Sequence, residues 1–574
     1  MLRINRITIL ALGMALWAAL LPPSAAQAAN GDLASATREA NHPAKLWVFF
    51  EDKGFERGGE RAAIEAFRSG LPERALARRA RVGFELNVND LPVADDYVDA
   101  IRATGADVVV RSRWLNAVSV LADEAQAARI AGLPFVRDMR PVASGVKELP
   151  VITPADDGGE VPTRGRLLDY GDSFQQLDMM QVPDLHDEGY DGAGVIIAML
   201  DTGFDTDHQA YRHLDILAER DFINNDTETA DQPGDPSGQD GHGTATLSCV
   251  GARYPGEVYG GSYNASFVLC KTEIVDDEIE VEEDYWVAAT EFADSLGADV
   301  ISSSLGYYYW YTYEDMDGNT ALVTIAADMA AARGIVVVNS MGNEGDDPWR
   351  YMIAPADGDS VLSVGAVTSE GVRTDFSSVG PTYDGRIKPD VMAMGQSTYI
   401  VTTADTASYG RASGTSFSCP LTAGAVGLLV QGHTDWSPVD IIDALRSTAT
   451  QSGSPDTLMG WGIVRAREAM YSDWQGVEAE SVRSGLVRTY PNPVAKGTNV
   501  SYSLPRDGRA RLAVYDPSGR LVRVLSDLEL SAGDYSVKWD SRDEKGMRVA
   551  GGVYFVRLTA GPGVVSSAKV VLVR

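Results

Sequence analysis

GVIIAMLD, residues 194–201, is an unbroken apolar run that ends in an acid. A strand with one wet face alternates apolar and polar residues; a strand without that alternation is buried on both faces. Such strands belong to parallel sheets covered by helices. Asp201 falls at the carboxyl end of this one, the edge where ligands and catalytic groups gather in open α/β sheets. Further runs of the same kind follow at FVLCKTE (267–273), ADVISSSLG (298–306), GIVVVNS (334–340), VLSVGAV (361–367) and DVMAM (390–394). Helical stretches separate them, among them YWVAATEFADSLG (285–297) and VTIAADMAAARG (323–334). Strand and helix in alternation predict an α/β domain built on a mostly parallel sheet.

Three short motifs in this region carry chemistry. DGHGTATLSCVGA (240–252) sets His242 between two glycines at a helix start, a setting that His208, His213 and His433 lack. SMGNEG (340–345) presents Asn343 in a glycine-bounded turn, where a side-chain amide donates to an anion. RASGTSFSCP (411–420) places Ser416 behind Gly414 and Thr415, at the mouth of the buried helical run FSCPLTAGAVGLLVQG. Small residues there let the backbone turn sharply, and Pro420 reads as a first-turn proline. Free N–H groups and the positive dipole end at a helix mouth stabilise an oxyanion, which suits an acyl-transfer nucleophile. Taken singly, each has a structural reading: a core histidine, a turn asparagine, a capping serine. LDTG (200–203) also matches the aspartic-protease signature, but that chemistry needs two such aspartates and Asp-Thr-Gly occurs once. The only cysteines are Cys249, Cys270 and Cys419, too few for a disulfide framework. Cys419 reads as a packed helix residue; Cys249 and Cys270 either pair or stay as buried thiols.

Asp201, His242, Asn343 and Ser416 stand in the chain order known for subtilisin. Residues 166–474 resemble the subtilisin-like serine peptidases, on VIIAMLDTG, DGHGTA, SSSLG, NSMGNEG, KPDVMAMG and SGTSFSCP in sequence. The resemblance implies Ser416 as nucleophile, His242 as general base and then acid, and Asp201 as the group that orients and charges the imidazole. It implies Asn343 in the oxyanion hole, and Ser304, Leu305 and Gly306 as a strand that pairs with substrate backbone. No cofactor is required for that chemistry. Departures from the family pattern are Ala245, where many relatives carry a second histidine, and Gln209–Ala210, where many place a calcium-binding aspartate. The segment YYYWYTYEDMDGN (307–319) reads either as an aromatic wall for residues upstream of the cut or as a loop packed on its own domain. Asp315 and Asp317 within it hint at structural calcium, without the fuller ligand pattern.

Working outward, residues 1–28 read as a secretory signal peptide: Arg3 and Arg6, an apolar run from Ile7 to Leu21, and Ala26-Gln27-Ala28 at the cut. That run is short for a bilayer span, so no transmembrane segment is expected in the mature chain. Residues 29–165 hold a β-α-β-β-α-β pattern with an Arg-rich helical insertion around Pro72–Val82. It ends in a Pro-, Gly- and acid-rich linker from residue 146. By the same resemblance this ferredoxin-like module is an inhibitory propeptide and the linker is where maturation occurs. After a linker at 475–487, residues 488–574 show short alternating strands with turn signals between them, an all-β sandwich pattern. They resemble the Ig-like and sorting domains of secreted bacterial proteins on Tyr490-Pro491-Asn492-Pro493, Trp539-Asp540 and Gly552-Val553-Tyr554.

A net charge of −32 argues against nucleic acid as a partner and favours solubility. The expected protein is thus a secreted or cell-surface, monomeric, self-maturing serine endopeptidase. Its partners would be protein or peptide substrates and its own propeptide as intramolecular inhibitor. The alternative from another class is a catalytically silent surface-binding protein on the same fold.

Overall fold

A computed structural model describes residues 43–55, 59–142, 146–147, 152–154, 166–275, 279–280 and 283–472. In the tail it describes 487–490, 497–504, 508–516, 520–531, 533–560 and 564–572. The proposed signal peptide and the 475–486 part of the second linker lie outside these residues, as do 155–165 of the first. Contacts divide the chain into two compact units, residues 1–472 and 473–574, so the N-terminal module and the α/β domain form one body.

The N-terminal module runs β1 (Ala44–Phe50), α1 (Glu60–Gly70), α2 (Glu73–Arg81), α3 (Asp95–Arg102), β2 (Asp107–Ser112), β3 (Ala117–Ala122), α4 (Glu124–Ala131) and β4 (Val136–Pro141). Its antiparallel sheet has the order β2-β3-β1-β4. Two short strands follow, β5 (Val146–Lys147) and β6 (Ile152–Pro154).

The α/β domain is built on β7 (Ile196–Asp201), β8 (Asp215–Asp221), β11 (Ser266–Lys271), β13 (Val300–Ser303), β14 (Val336–Ser340), β15 (Val361–Val367) and β16 (Val391–Met394), with minor pairs β9–β10 (Arg253–Tyr254, Val258–Tyr259) between. These seven strands form one parallel sheet in the order β16-β15-β14-β13-β7-β11-β8. β8 is an edge strand that the apolar-run criterion misses: DILAERD exposes Asp215 and Leu217 and keeps Glu219 and Arg220 half-buried, because the strand is paired on one side only. Helices α7 (Gly241–Gly251), α8 (Glu283–Leu296), α9 (Leu322–Ala332) and α10 (Thr415–Gly432) cover the sheet, and β7 is buried at every position. The short strand β12 (Ile279–Glu280) pairs with β5, and the hairpin β17–β18 (Thr398–Val401, Tyr409–Ala412) takes β6 on its edge. Helices α5 (Phe174–Asp178), α6 (Val182–Asp187), α11 (Pro438–Thr448) and α12 (Ala466–Met470) complete the unit.

The tail unit holds β19 (Val487–Tyr490), β20 (Thr498–Leu504) and β23 (Gly533–Trp539) in one antiparallel sheet. A second contains β22 (Leu521–Leu530), β21 (Gly508–Tyr515), β24 (Gly552–Ala560) and β25 (Val564–Leu572). One core joins both sheets, with Trp539 packed edge-on against Tyr554.

Strand periodicity explains how the N-terminal module docks. Leu46, Val48 and Phe50 of β1 face the module's own core, whereas Trp47 and Phe49 enter the core of the α/β domain beside Trp286 of α8 and Val323 of α9. Charges cross the interface in both directions. Asp294 of α8, fully buried, receives Arg78, Arg79 and Arg113 of the module. Lys45 meets Asp284 at 3.0 Å, and Arg333 of the α/β domain reaches Asp90 of the module at 2.8 Å. Burial pushes the Asp294 carboxyl up, but the three guanidiniums outweigh it and hold the group below its ordinary range. A carboxyl depressed in the folded state stabilises above its unfolded value, and that contribution is lost as pH falls through the lower folded value. Asp294→Ala strands buried guanidiniums and is expected to destabilise the uncleaved chain by about 3–5 kcal/mol. Chemical denaturation at pH 7 measures this; below about pH 4 the wild type should lose stability more steeply than the variant.

Candidate active site

Asp201, the last residue of β7, is buried. Its Oδ1 accepts the Thr202 N–H at 2.8 Å and lies 2.6 Å from His242 Nδ1. Its Oδ2 accepts the Thr246 hydroxyl at 2.9 Å. Burial pushes this carboxyl up; the His242 ring, the Thr202 N–H and the Thr246 hydroxyl together outweigh burial and hold it below the ordinary range. A carboxylate at Nδ1 keeps a proton there and leaves Nε2 as the nitrogen with a free lone pair.

The approach of α7 to the end of β7 requires a glycine. A Cβ on Gly243 would sit 2.0 Å from the Gly203 carbonyl oxygen and 3.0 Å from the Asp201 Cβ. Without that side chain, the first turn of α7 presses onto the strand end and His242 reaches Asp201. Thr246, four residues after His242, lies one helical turn further along the same face. That spacing is the one signal in the sequence that points to Thr246.

Ser416 is the second residue of α10. Gly414 before it has φ +153°, a conformation that residues with a side chain rarely adopt, and this turns β18 into the helix. Ser416 Oγ and His242 Nε2 are both buried and neither makes a hydrogen bond. The imidazole packs 6.0 Å, centroid to centroid, from the ring of Phe417, the residue next to Ser416. Among the buried polar atoms without a partner, these two are a nucleophilic hydroxyl and a basic nitrogen.

Asn343 follows β14. Its Oδ1 accepts both the N–H of Thr415, at 2.8 Å, and its hydroxyl, at 3.0 Å. This turns the amide so that Nδ2 is the end left to donate. Thr415, in the sequence only a small turn residue ahead of Ser416, is thus what orients that amide.

Pro420 departs from expectation. The helix begins at Thr415, so Pro420 lies in its second turn. A proline there deprives the carbonyl four residues back of its N–H, and that carbonyl is Ser416's. Ser304 Oγ donates to it at 2.8 Å instead. Ser304 and Leu305 are buried beside this helix; the Leu305 carbonyl accepts Asn339 Nδ2 at 3.0 Å, and Gly306 packs on Ile353 where a Cβ would clash. These three residues thus sit at the same sheet edge as Asp201 and Ser416.

Beyond them, most of the aromatic segment packs on its own domain. The hydroxyls of Tyr307, Tyr311 and Tyr313 bond to Glu273, Glu283 and the Pro381 carbonyl, and Tyr313 stacks on Tyr351. Tyr309 and Trp310 stay exposed at its tip. The calcium hint has another account: Asp315 closes a capping box with Thr312, and Asp317 accepts the Asn319 N–H. Gln209 donates to Tyr409 instead of presenting a carboxylate. Among the described residues no group of three or more His, Cys, Asp or Glu is placed to hold a metal ion. All three cysteines are free and buried, and burial pushes the Cys249 and Cys419 thiols up to about 12.

Comparison with known proteins agrees in fold and extent. The profile described as "Subtilase family" matches residues 192–462, "Peptidase S8 propeptide domain, Bacteroidota" residues 45–152, and "FlgD Ig-like domain" residues 493–563. The chain is 32% identical over 296 residues to a subtilisin of Bacillus pumilus, spanning 51% of this chain and 97% of that one. It is 29% identical over 395 residues to subtilisin E of Bacillus subtilis, spanning 68% and 89%. In fold it is similar to fervidolysin from Fervidobacterium pennivorans, a keratinolytic enzyme related to subtilisin (TM-score 0.53, 17% identity, 91% of this chain and 71% of that one).

The Ser304–Pro420 arrangement makes a compensation test. Ser304→Ala leaves the buried Ser416 carbonyl without a donor and is expected to cost about 1–3 kcal/mol. Adding Pro420→Ala restores a helical N–H and should recover most of that loss in thermal unfolding; additive losses would contradict the assignment.

Proposed function

Because this chain belongs to the subtilase family and is a serine endopeptidase, we propose that Asp201, His242 and Ser416 are its catalytic triad. Ser416 Oγ attacks the scissile carbonyl carbon while His242 Nε2 takes its proton. Asp201 keeps the imidazole in the required tautomer and stabilises the imidazolium. The tetrahedral oxyanion is held by Asn343 Nδ2 and the Ser416 N–H. Collapse breaks the C–N bond, His242 protonates the leaving amine, and an ester on Ser416 Oγ remains. His242 then deprotonates a water whose oxygen attacks the ester carbon; collapse breaks the bond to Ser416 Oγ and His242 returns the proton to that oxygen. The strand end Ser304–Gly306 pairs with substrate backbone, which makes recognition tolerant of sequence. The observation that carries this is the pair of buried, partnerless atoms, His242 Nε2 and Ser416 Oγ, with the far side of the imidazole bound to a carboxylate.

The N-terminal module acts as the intramolecular inhibitor, and the chain around the linker supports self-processing. Val146–Lys147 pairs with Ile279–Glu280 of β12, which follows β11 at the carboxyl edge of the sheet. Ile152–Pro154 pairs with Gly410–Ala412, just ahead of Ser416. The peptide bonds between these two strands are those that self-cleavage takes, a narrower interval than the whole linker. Export rests on the Arg3–Ala28 pattern. Among the described residues no helix is long and apolar enough to cross a membrane. The Ig-like domain would serve export or retention at the cell surface.

A fluorophosphonate should label Ser416, and Ser416→Ala should leave the chain uncut. The mature N-terminus should fall between Glu148 and Ile152, read by N-terminal sequencing. Absence of label in folded, propeptide-free protein would favour the binding-protein reading instead. Thr246→Val removes one charge-assisted hydrogen bond from Asp201, worth about 1.5–3 kcal/mol, so kcat should fall about ten- to a hundredfold with KM little changed. Thr246→Ser should restore most of it; a Val variant with unaltered kcat would show that Asp201 needs no second donor.

A further inference from the structure

Two glycines beside the site face one and the same side chain. A Cβ on Gly306 would overlap Cγ1 and Cδ1 of Ile353, and a Cβ on Gly342 would lie 3.2 Å from that Cγ1. Gly306 closes the segment Ser304–Gly306, which follows β13; Gly342 adjoins Asn343 in the turn that follows β14. β13 and β14 are neighbours in the sheet, so the two segments leave its carboxyl edge side by side. Ile353, buried, enters the space between them from a third segment. Gly342 has φ +104°, which selects glycine for the backbone alone. Gly306 has no positive φ, so at that position the contact with Ile353 is what excludes a side chain.

This space lies on the path assigned above to substrate. A peptide paired along Ser304–Gly306, with its scissile carbonyl oxygen at Asn343 Nδ2, has the residue that carries this carbonyl between the two segments. Side chains of an extended strand stand perpendicular to its pairing direction. The room for that residue's side chain is therefore the gap the two glycines leave, and glycine marks places where a ligand comes close to backbone. Here the chain has already put an isoleucine in the gap.

Ile353 is held firmly. Its N–H donates to the Met341 carbonyl at 3.3 Å, and the next residue, Ala354, exchanges two backbone hydrogen bonds with Tyr307, at 2.8 and 3.1 Å. A β-branched side chain has few χ1 states into which it could retreat. The far side of Gly342 is closed too. There the Ser378 hydroxyl donates to Glu344 Oε2 at 2.9 Å and accepts the Glu344 N–H at 3.0 Å.

We propose that Ile353 is a specificity-determining residue: it fills the floor of the subsite for the residue before the scissile bond and restricts that residue to a small side chain, that of glycine, alanine or serine. The substrates are then polypeptides cut after small residues. The residues from Lys147 to Val151 are larger, and cutting there draws on the high effective concentration of a bond in the same chain. The proposal rests on the assignment of Ser416 and Asn343 above.

The test uses the full chain, matured and freed of its propeptide, on peptide p-nitroanilides that differ only in the last residue, Ala, Leu or Phe. The wild type is expected to show kcat/KM for Ala about tenfold or more above that for Phe. Ile353→Gly should raise the Phe-to-Ala ratio about tenfold or more, through a gain on Phe, with Leu between. Ile353→Ala serves where the glycine variant does not fold. A wild type that takes Phe as readily as Ala, or variants whose ratio does not move, would overturn the role of Ile353. Fluorophosphonate labelling of the same samples separates the two readings. Label on Ser416 with an unmoved ratio removes the subsite proposal alone. No label and no hydrolysis of any of the three peptides by folded protein removes the triad, and the subsite with it.

Discussion

The bond between Asp201 and His242 depends on how closely a helix can approach the end of a strand. Both residues lie in low-dielectric surroundings, where a charged group without compensation is costly. The carboxylate is kept ionised by three donors arriving from three directions: the chain itself at Thr202, the imidazole, and Thr246 one turn along α7. Those donors converge because Gly243 has no side chain to hold the helix away. The same logic operates at the other end of the site. Gly414 turns β18 into α10, Thr415 clasps the Asn343 amide, and Ser304 takes the carbonyl that Pro420 cannot serve. Each catalytic candidate is thus positioned by a neighbour of small volume and one polar atom.

The propeptide is bonded into the enzyme as much as it rests on it. Charges are exchanged in both directions, with Arg78, Arg79 and Arg113 going one way and Arg333 the other. Arg333 inserts between Phe84 and Trp114, its guanidinium 4.6 and 4.4 Å from the ring centroids. A buried ion pair gains little over an apolar contact but is expensive to break on one side only. Such an interface therefore discriminates: a segment lacking any one partner leaves a buried charge behind. This fits a surface that has to recognise one particular segment, its own, and refuse others.

Much of this was legible in the sequence, and the failures have physical causes. Strands buried on both faces were evident from apolar runs such as VIIAML and VLSVGAV, because nothing else about them varies. The edge strand β8 was not, since DILAERD needs apolar residues on one side only. Asp201, His242, Asn343 and Ser416 stood out through their glycine and small-residue settings. Thr246 and Ser304's bond to the Ser416 carbonyl did not, because a supporting hydroxyl has no signature until its partner is located. The linker read as featureless at residues 146–154, yet pairs on both sides of the site; two or three residues are too few to show a period, and their partners come from loops distant in sequence.

The Arg-rich helix shows why composition alone misleads. On a chain of net charge −32, the composition of an Arg-rich helix gives no sign of where its side chains go. Yet Arg78 and Arg79 are buried, and burial lowers the Arg78 guanidinium to about 10. Burial on that scale is tolerable only where acceptors are already fixed, and helix ends supply fixed carbonyls without conformational cost. A lysine would not serve as well, since its point charge cannot bridge two carbonyls and a carboxylate from one planar group. Arginine at positions 74, 78 and 81 thus suits the fixed backbone carbonyls it meets, which no reading of the insertion by itself would disclose.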